Sequence, residues 1–121
     1  MTQAEYADIL DALAEELPPV FFDRLNLGIV VEDRVKRHPA SRADAPLYIL
    51  GEYRQSGALG RGICMYYGSF LAAYGDCPRT QQIDELRRVL RHEFRHHLEY
   101  LSGEDALVRD DRARLRAYLG E

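Results

Sequence analysis

The sequence of 121 residues has no tryptophan, only two cysteines, and no apolar run close to the length of a membrane span. A transmembrane helix needs about 20 consecutive apolar residues, so none is predicted and no membrane partner is expected. Cys64 and Cys77 do not form a C-x-x-C motif, which argues against a thiolate zinc site. In a cytosolic protein they are most simply free thiols, although their spacing leaves a disulfide between them open.

The sequence also lacks a signal peptide pattern and a block of basic residues. Residues 1–17 contain acidic side chains where a signal peptide has a basic segment followed by an apolar one, so a cytoplasmic location is expected. The net charge is −4 and the arginines are spread along the chain, so nucleic acid is not the expected partner. A hydrophobic content of 46% and a charged content of 30% are typical of one soluble globular domain, predicted over residues 1–121.

The most informative motif is the stretch His92-Glu93-Phe94-Arg95-His96, which reads H-E-x-x-H. Histidines four residues apart lie on one face of an α-helix and can bind one zinc ion. The glutamate that follows the first histidine can act as general base toward a water molecule on the metal. The motif therefore predicts a metal site with His92 and His96 as ligands and Glu93 as the catalytic base. The alternative interpretation is an ordinary solvated face of a helix.

The motif lies late in a predicted amphipathic helix. This helix, residues 80–102, contains no proline or glycine, and Thr80 and Gly103 are candidates for its N-cap and its C-terminal stop. Its apolar stripe consists of Ile83, Leu86, Leu90, Phe94, Leu98 and Leu101. The two motif histidines lie roughly opposite this stripe, whereas His97 lies close to it. We therefore expect His97 to be a buried, hydrogen-bonded histidine rather than a metal ligand.

The other segments predict an α+β fold, in which a small, mainly three-stranded sheet packs with the long motif helix and flanking helices. The predicted helical segments are residues 2–17, 19–25, 69–74 and 105–119. The predicted strands, which are rich in β-branched and aromatic residues, are residues 28–33, 47–54 and 61–67. A loop is expected at residues 34–46 and a hairpin turn at residues 55–60, and Gly51 is a candidate for a bulge.

In these features the chain resembles the small bacterial zincin-like metallopeptidases, also called minimal metalloproteases. The resemblance covers about residues 21–119 and rests chiefly on residues 90–97, which read LRHEFRHH. The weaker matches are GIVVED at residues 28–33, LGEY at residues 50–53 and MYYG at residues 65–68. The resemblance implies a zincin-like fold, a zinc ion on His92 and His96, and hydrolysis of peptide bonds with Glu93 as base and proton shuttle.

The chain departs from the family pattern at the third metal ligand. In many members a glycine and then an aspartate follow the second histidine, but the matching positions here hold Glu99 and Ser102. A catalytic zinc ion takes three protein ligands and keeps one position open. The candidates for the third ligand are Asp110, Asp111, Glu99, Glu104 and Asp105. Asp111 or Asp110 is favoured slightly over Glu99, because three ligands on one straight helix strain to reach one ion. The alternative for these aspartates is a solvated helix surface.

The expected partner is a peptide or protein substrate. By resemblance, residues 61–67 are expected to pair with an extended substrate as an edge strand. A developing oxyanion needs a further donor, for which Tyr66, Tyr67 and Tyr100 are candidates by residue type. Two other hypotheses are a metal-binding zincin-like protein without peptidase activity and a metal-free interaction module whose long helix binds a partner. The sequence leaves open the substrate, the oligomeric state and the metal carried.

Overall fold

The computed structural model describes residues 1–104, except for the side chain of Glu104. In chain order the elements are α1 (Gln3–Glu15), β1 (Gly28–Glu32), β2 (Gly51–Gln55), β3 (Arg61–Tyr66), α2 (Tyr67–Tyr74) and α3 (Arg79–Glu104). Two short 3-10 helices lie at Pro19–Phe22 and Gly57–Leu59. The predicted α+β class with a small three-stranded sheet is confirmed. The helix predicted at residues 105–119 lies outside the described residues.

The sheet has the strand order β1-β3-β2. Strand β3 is central: it runs parallel to β1, with Val30 opposite Cys64, and antiparallel to β2, with Tyr53 opposite Ile63. Because β3 is paired on both sides, the two edges of the sheet are β1 and β2. Helix α3 packs more extensively against the edge strand β2 than against the central strand β3.

One face of the sheet packs against the helices and forms the core. Successive side chains of a strand point to opposite faces, so Ile63 and Met65 of β3 face the helices while Cys64 and Tyr66 face the other way. The buried side chains that the α-helices contribute to this core are Tyr6, Leu10 and Leu13 of α1, Phe70 of α2, and Leu86, Val89, Leu90, Phe94, Leu98 and Leu101 of α3. Each fully buried side chain of this size contributes roughly 1.5–3 kcal/mol to folding. The core thereby fixes the rotation of α3 about its axis.

Helix α3 is longer than predicted at both ends. It begins at Arg79, where the carbonyl of Pro78 accepts a hydrogen bond from the backbone N–H of Gln82 at 3.0 Å, so Thr80 lies inside the first turn and is not the N-cap. Gly103 is not the stop, because the helix continues to Glu104. A glycine inside a helix costs about 1 kcal/mol and is tolerated when the rest of the helix is well packed.

The apolar stripe of α3 is confirmed, with one addition. Five of its six members are buried and Ile83 is partly buried against the core. Val89, which is 5% exposed, also belongs to the buried face and was missed by the sequence pattern. The core therefore covers a wider arc of the helix than one narrow stripe.

The second strand is shorter than predicted, because residues 47–50 do not pair with β3 as a regular strand. Leu47 and Ile49 instead bond to the segment that follows β1. The carbonyl of Leu47 accepts from the N–H of His38 at 3.0 Å, and the N–H of Ile49 donates to the carbonyl of Lys36 at 2.8 Å. Residues 36–38 of the predicted loop therefore lie alongside residues 47–49, which lead into β2.

Two further expectations concern cysteine chemistry and membranes. Cys64 is buried and Cys77 partly buried, and both are free thiols, as predicted. Within residues 1–104, no helix has the length and apolar character that are needed to cross a membrane.

Candidate metal centre

A cleft of about 450 Å³ lies between the edge strand β2 and helix α3. Its lining residues are Ile49, Gly51, Glu52, Tyr53, Gln55, His92, Glu93 and His96. The two histidines and the glutamate of the H-E-x-x-H motif therefore line one cleft. Gly51 packs closely against β3 and α3. A Cβ atom there would lie 2.9 Å from Sδ of Met65 and 3.1 Å from Cγ1 of Val89, so a side chain at this position would displace its neighbours. Gly51 pairs in regular register with Met65, so the expected bulge is wrong.

The two motif histidines lie side by side on the exposed face of α3. Both are exposed, and the centres of their rings are 5.3 Å apart with an angle of 89° between the ring planes. Tyr53 of β2 stacks on His96 at 6.4 Å, so the strand covers one side of this ring. This arrangement agrees with the helical-wheel expectation that His92 and His96 point away from the core.

Each motif histidine has a charged side chain near Nδ1, and the two charges differ in sign. The guanidinium of Arg95 lies 3.0 Å from Nδ1 of His92, while the carboxylate of Glu99 lies 3.9 Å from Nδ1 of His96. Because arginine only donates, Nδ1 of His92 accepts and the neutral ring carries its proton on Nε2. To bind a metal ion through Nε2, His92 would have to carry its proton on Nδ1 instead. Because a protonated Nδ1 cannot accept a hydrogen bond, the side chain of Arg95 would then have to turn away.

Glu93 occupies the inner wall of the cleft. Its side chain is 7% exposed. Burial, together with the nearby carboxylate of Glu52, raises the pKa of Glu93 to about 7, against the opposing effect of a hydrogen bond from the backbone N–H of Tyr53. A carboxyl group that titrates near neutral pH can both accept and release a proton under physiological conditions.

His97 has a different environment from its neighbours on the helix. It is fully buried, with Nδ1 2.6 Å from the hydroxyl of Tyr53 and Nε2 2.6 Å from the backbone carbonyl of Asp23. A carbonyl oxygen only accepts, so Nε2 carries the proton and the Tyr53 hydroxyl donates to Nδ1. Burial lowers the pKa of His97, which keeps the ring neutral. The expectation of a buried, hydrogen-bonded histidine is confirmed.

The edge strand at the cleft is β2, and the expectation that residues 61–67 form this edge is wrong. Strand β3 is paired along its length by β1 and β2, so its backbone groups are already used within the sheet. Sequence reasoning identified both strands by their composition, but composition does not give the order of strands in a sheet.

The hydrogen-bond pattern of β2 shows which of its backbone groups face the cleft. At its two ends, the carbonyl of Leu50 accepts from Tyr66 and the N–H of Ser56 donates to Gly60. In an antiparallel pair, residues alternate between bonding to the partner strand and pointing away from it. The backbone groups of Gly51, Tyr53 and Gln55 therefore point away from β3 and toward the cleft.

None of the three tyrosines expected as oxyanion donors lines the cleft. Tyr66 is buried on the opposite face of the sheet, where its hydroxyl donates to Glu52 at 2.5 Å. The hydroxyl of Tyr67 donates to the carbonyl of Met1 at 2.5 Å, and Tyr100 lies in a neighbouring cavity. The tyrosine at the cleft is Tyr53, which the sequence marked only as part of the weakly matching stretch LGEY.

Within residues 1–104, no three His, Cys, Asp or Glu side chains come together in a geometry that could hold a metal ion. Glu99 is exposed and lies beside one histidine, at 3.9 Å from its Nδ1. The other candidates for the third ligand, Asp105, Asp110 and Asp111 and the side chain of Glu104, lie outside the described residues. The described part of the site therefore provides two exposed imidazoles and one buried carboxyl group.

Comparison with known proteins gives a match among solved structures. No protein family model and no curated protein matches the sequence. Among solved structures, the chain is similar to a conserved hypothetical protein (TTHA0227) from Thermus thermophilus. The two share 34% sequence identity over 86% of this chain and 100% of that chain, with a TM-score of 0.73. This chain therefore belongs to the same family as that conserved hypothetical protein.

Proposed function

We propose that the protein is a zinc-dependent metallopeptidase of the zincin-like type, which hydrolyses peptide bonds in the cleft between β2 and α3. One observation carries the proposal: His92, Glu93 and His96 share a cleft with the outward backbone groups of an edge strand. A pair of exposed imidazoles four residues apart is a metal-binding arrangement, and the buried glutamate between them is a proton acceptor. The 34% identical relative has no described activity in its name, so the proposal rests on the site.

The chain's own residues have distinct roles in this proposal. His92 and His96 would hold the zinc ion, which when bound polarises a carbonyl group and acidifies water. Glu93 accepts a proton from the attacking water and passes it to the leaving amine nitrogen. In the protein without metal, burial raises the pKa of Glu93 to about 7, so its carboxylate is a stronger base than that of an ordinary glutamate. Asp111 stays the first candidate for the third ligand, ahead of Asp110, Glu99, Glu104 and Asp105.

The substrate is proposed to bind as an added strand along β2. An extended peptide gains affinity from backbone hydrogen bonds to a free strand edge, and neighbouring pockets then select its side chains. Gly51 and Gln55 direct backbone groups toward the cleft, while the N–H of Tyr53 meets Glu93. A peptide on this edge would pass directly in front of the motif.

The test is hydrolysis of a broad peptide library by the purified protein with zinc, before and after chelation. The Glu93→Gln variant should keep its metal and lose at least about 100-fold in kcat/KM, since general-base catalysis contributes about 10²–10⁴. Asp84→Asn is the matched control, because Asp84 lies on α3, pairs with Arg87 and does not line the cleft. Equal cleavage by wild type and Glu93→Gln would contradict the proposed mechanism.

A second candidate is a metal-binding protein of the same fold without peptidase activity. It is favoured by one observation: residues 1–104 bring together only two imidazole ligands, whereas a catalytic zinc site uses three protein ligands. Zinc bound at full stoichiometry, together with no cleavage of the library at any pH between about 6 and 9, would select this candidate. A cytoplasmic location is part of both proposals.

A further inference from the structure

A second cavity, of about 470 Å³, adjoins the histidine cleft at Gln55, which lines both. The charged side chains on its wall are Arg24 and Arg61, and among residues 1–104 no carboxylate lines it. We propose that this arginine cavity is the subsite that selects an acidic side chain of the peptide substrate, with Arg61 as its specificity-determining residue. This inference rests on the proposed peptidase function and names the class of substrate.

The guanidinium of Arg61 is held in place by aromatic side chains. Its central carbon lies 3.3 Å from the centre of the Tyr100 ring, and its Nη1 donates to the hydroxyl of Tyr53 at 3.4 Å. That hydroxyl donates in turn to the buried ring of His97. Stacking covers one flat face of a guanidinium and leaves its N–H groups, which lie in the plane, at the rim.

Arg61 makes its contacts within residues 1–104 with tyrosines and not with carboxylates. By contrast, two arginines of α3 have acidic partners: Arg87 bonds to Glu16, and Arg88 bonds to Glu85. A positioned guanidinium with most of its five donors still available can bind a carboxylate through two parallel hydrogen bonds. The chemistry of the cavity therefore fits the side chain of glutamate or aspartate.

The turn that precedes Arg61 in the cavity wall has a fixed backbone conformation. Gly60 has φ 103°, and a Cβ atom there would lie 1.9 Å from Oδ1 of Asn26, so only glycine fits. The same Oδ1 accepts the backbone N–H of Arg61 at 3.0 Å, while Nδ2 of Asn26 donates to the carbonyl of Leu59 at 2.7 Å. One side chain thus ties the turn before β3 to the start of that strand. A cavity formed in advance loses less conformational entropy when it binds a ligand.

The arginine cavity is within reach of a substrate on β2. Successive residues of an extended peptide advance about 3.3 Å, so the position opposite Gln55 lies roughly 7 Å from that opposite Tyr53. Tyr53 is the residue whose N–H meets Glu93, which places the scissile bond near it. The acidic residue of the peptide substrate is therefore expected two or three positions from the scissile bond, on one side of that bond only.

The experiment compares pairs of peptides that differ only in glutamate or glutamine at those positions, with both termini blocked so that only a side-chain carboxylate is tested. The wild type should cleave the glutamate peptide with a kcat/KM about tenfold higher, mainly through KM, as expected for one charge-assisted interaction. Arg61→Met should lose the preference, Arg61→Lys should keep part of it, and Arg61→Glu should favour a lysine peptide. Arg42→Met is the matched control, since Arg42 is exposed and pairs with Asp44.

The outcomes separate this inference from the proposed function. Equal kcat/KM for the glutamate and glutamine peptides in the wild type, or a preference that survives in Arg61→Met, overturns the inference alone. If no peptide is cleaved, the proposed function fails and the inference fails with it. Thermal melting reports whether Arg61→Met is folded. If it is not, Arg61→Lys decides: it should reduce the preference, and an unchanged preference contradicts the proposal.

Discussion

The exposed pair His92 and His96 and the buried His97 are the same residue type within two turns of one helix, but they have opposite environments. The pair is exposed and lines a cleft, whereas His97 is fully buried and has both ring nitrogens hydrogen bonded. Moving one residue along an α-helix turns the side chain by about 100°, so His96 and His97 point in different directions. The comparison teaches that helical phase, set by the core, decides which histidines can bind a ligand.

The largest effect on the folded protein is expected when the buried histidine, His97, is replaced. We expect His97→Ala to lower the free energy of unfolding by about 4 kcal/mol, because it leaves a cavity and removes the hydrogen-bond partner of the Asp23 carbonyl and of the Tyr53 hydroxyl. Urea denaturation measures this loss. Zinc content should persist at temperatures where the variant is folded. A stable variant that no longer binds zinc would mean that His97, and not the exposed pair, serves the metal.

A second prediction concerns the pH dependence of stability in the chelated protein. The pKa of Glu93 is about 7 in the folded state and 4.5 in a model carboxyl group, so the wild type loses stability as pH rises between these values. Glu93→Gln has no proton to lose. It should therefore be more stable than wild type at about pH 8, by up to about 3 kcal/mol, and the difference should vanish near about pH 4. Urea denaturation at both pH values checks this, and a constant difference would contradict it.

A third prediction tests the link between the buried histidine and the cleft. Tyr53→Phe removes the hydroxyl that donates to His97 and leaves the buried Nδ1 without this donor, at a cost of about 2 kcal/mol. Tyr48→Phe is the matched control, since Tyr48 lies partly buried under Arg37 in the loop before β2. Differential scanning calorimetry of both variants compares them, and equal melting temperatures would contradict a hydrogen-bonded role for Tyr53.

The smallest expected effect concerns Arg95, which contacts one histidine of the exposed pair. Arg95 donates to Nδ1 of His92 and opposes the tautomer that binds a metal through Nε2. Arg95→Met should therefore strengthen zinc binding by about two- to fivefold, the size of one exposed contact. Competition with a chelating dye measures the affinity, with Arg87→Met as the control, because Arg87 pairs with Glu16 and does not line the cleft. Weaker zinc binding in Arg95→Met would show that Arg95 supports the site.

Much of this site followed from sequence, because a helix has a fixed period. The apolar residues of α3 give its buried face, and that face places His92, Glu93, His96 and His97 without knowledge of the rest of the fold. The start of α1 was predicted to within one residue: the helix begins at Gln3, after Thr2, which forms a capping box with Glu5.

The errors arose where the structure depends on contacts between distant segments. The edge of the sheet could not be read from residues 61–67, since strand composition does not reveal that β3 lies between two partners. Tyr53 and Arg61 were not recognised as site residues, because a strand residue and a turn-flanking arginine carry no local motif. Gly103 was expected to end the helix that it continues. The third ligand stays a prediction for the same reason: ligand sets are assembled by tertiary structure.

The most direct test of the central claim is the zinc content of the purified protein, measured by elemental analysis of the wild type and His96→Ala. The account predicts about one zinc ion per chain in the wild type and almost none in the variant, with little change in the free energy of unfolding of the chelated proteins. Asp84→Asn, which alters an exposed carboxylate on α3 outside the cleft, is the control and should keep its zinc. No zinc in the wild type, even after incubation with the metal, would contradict the account.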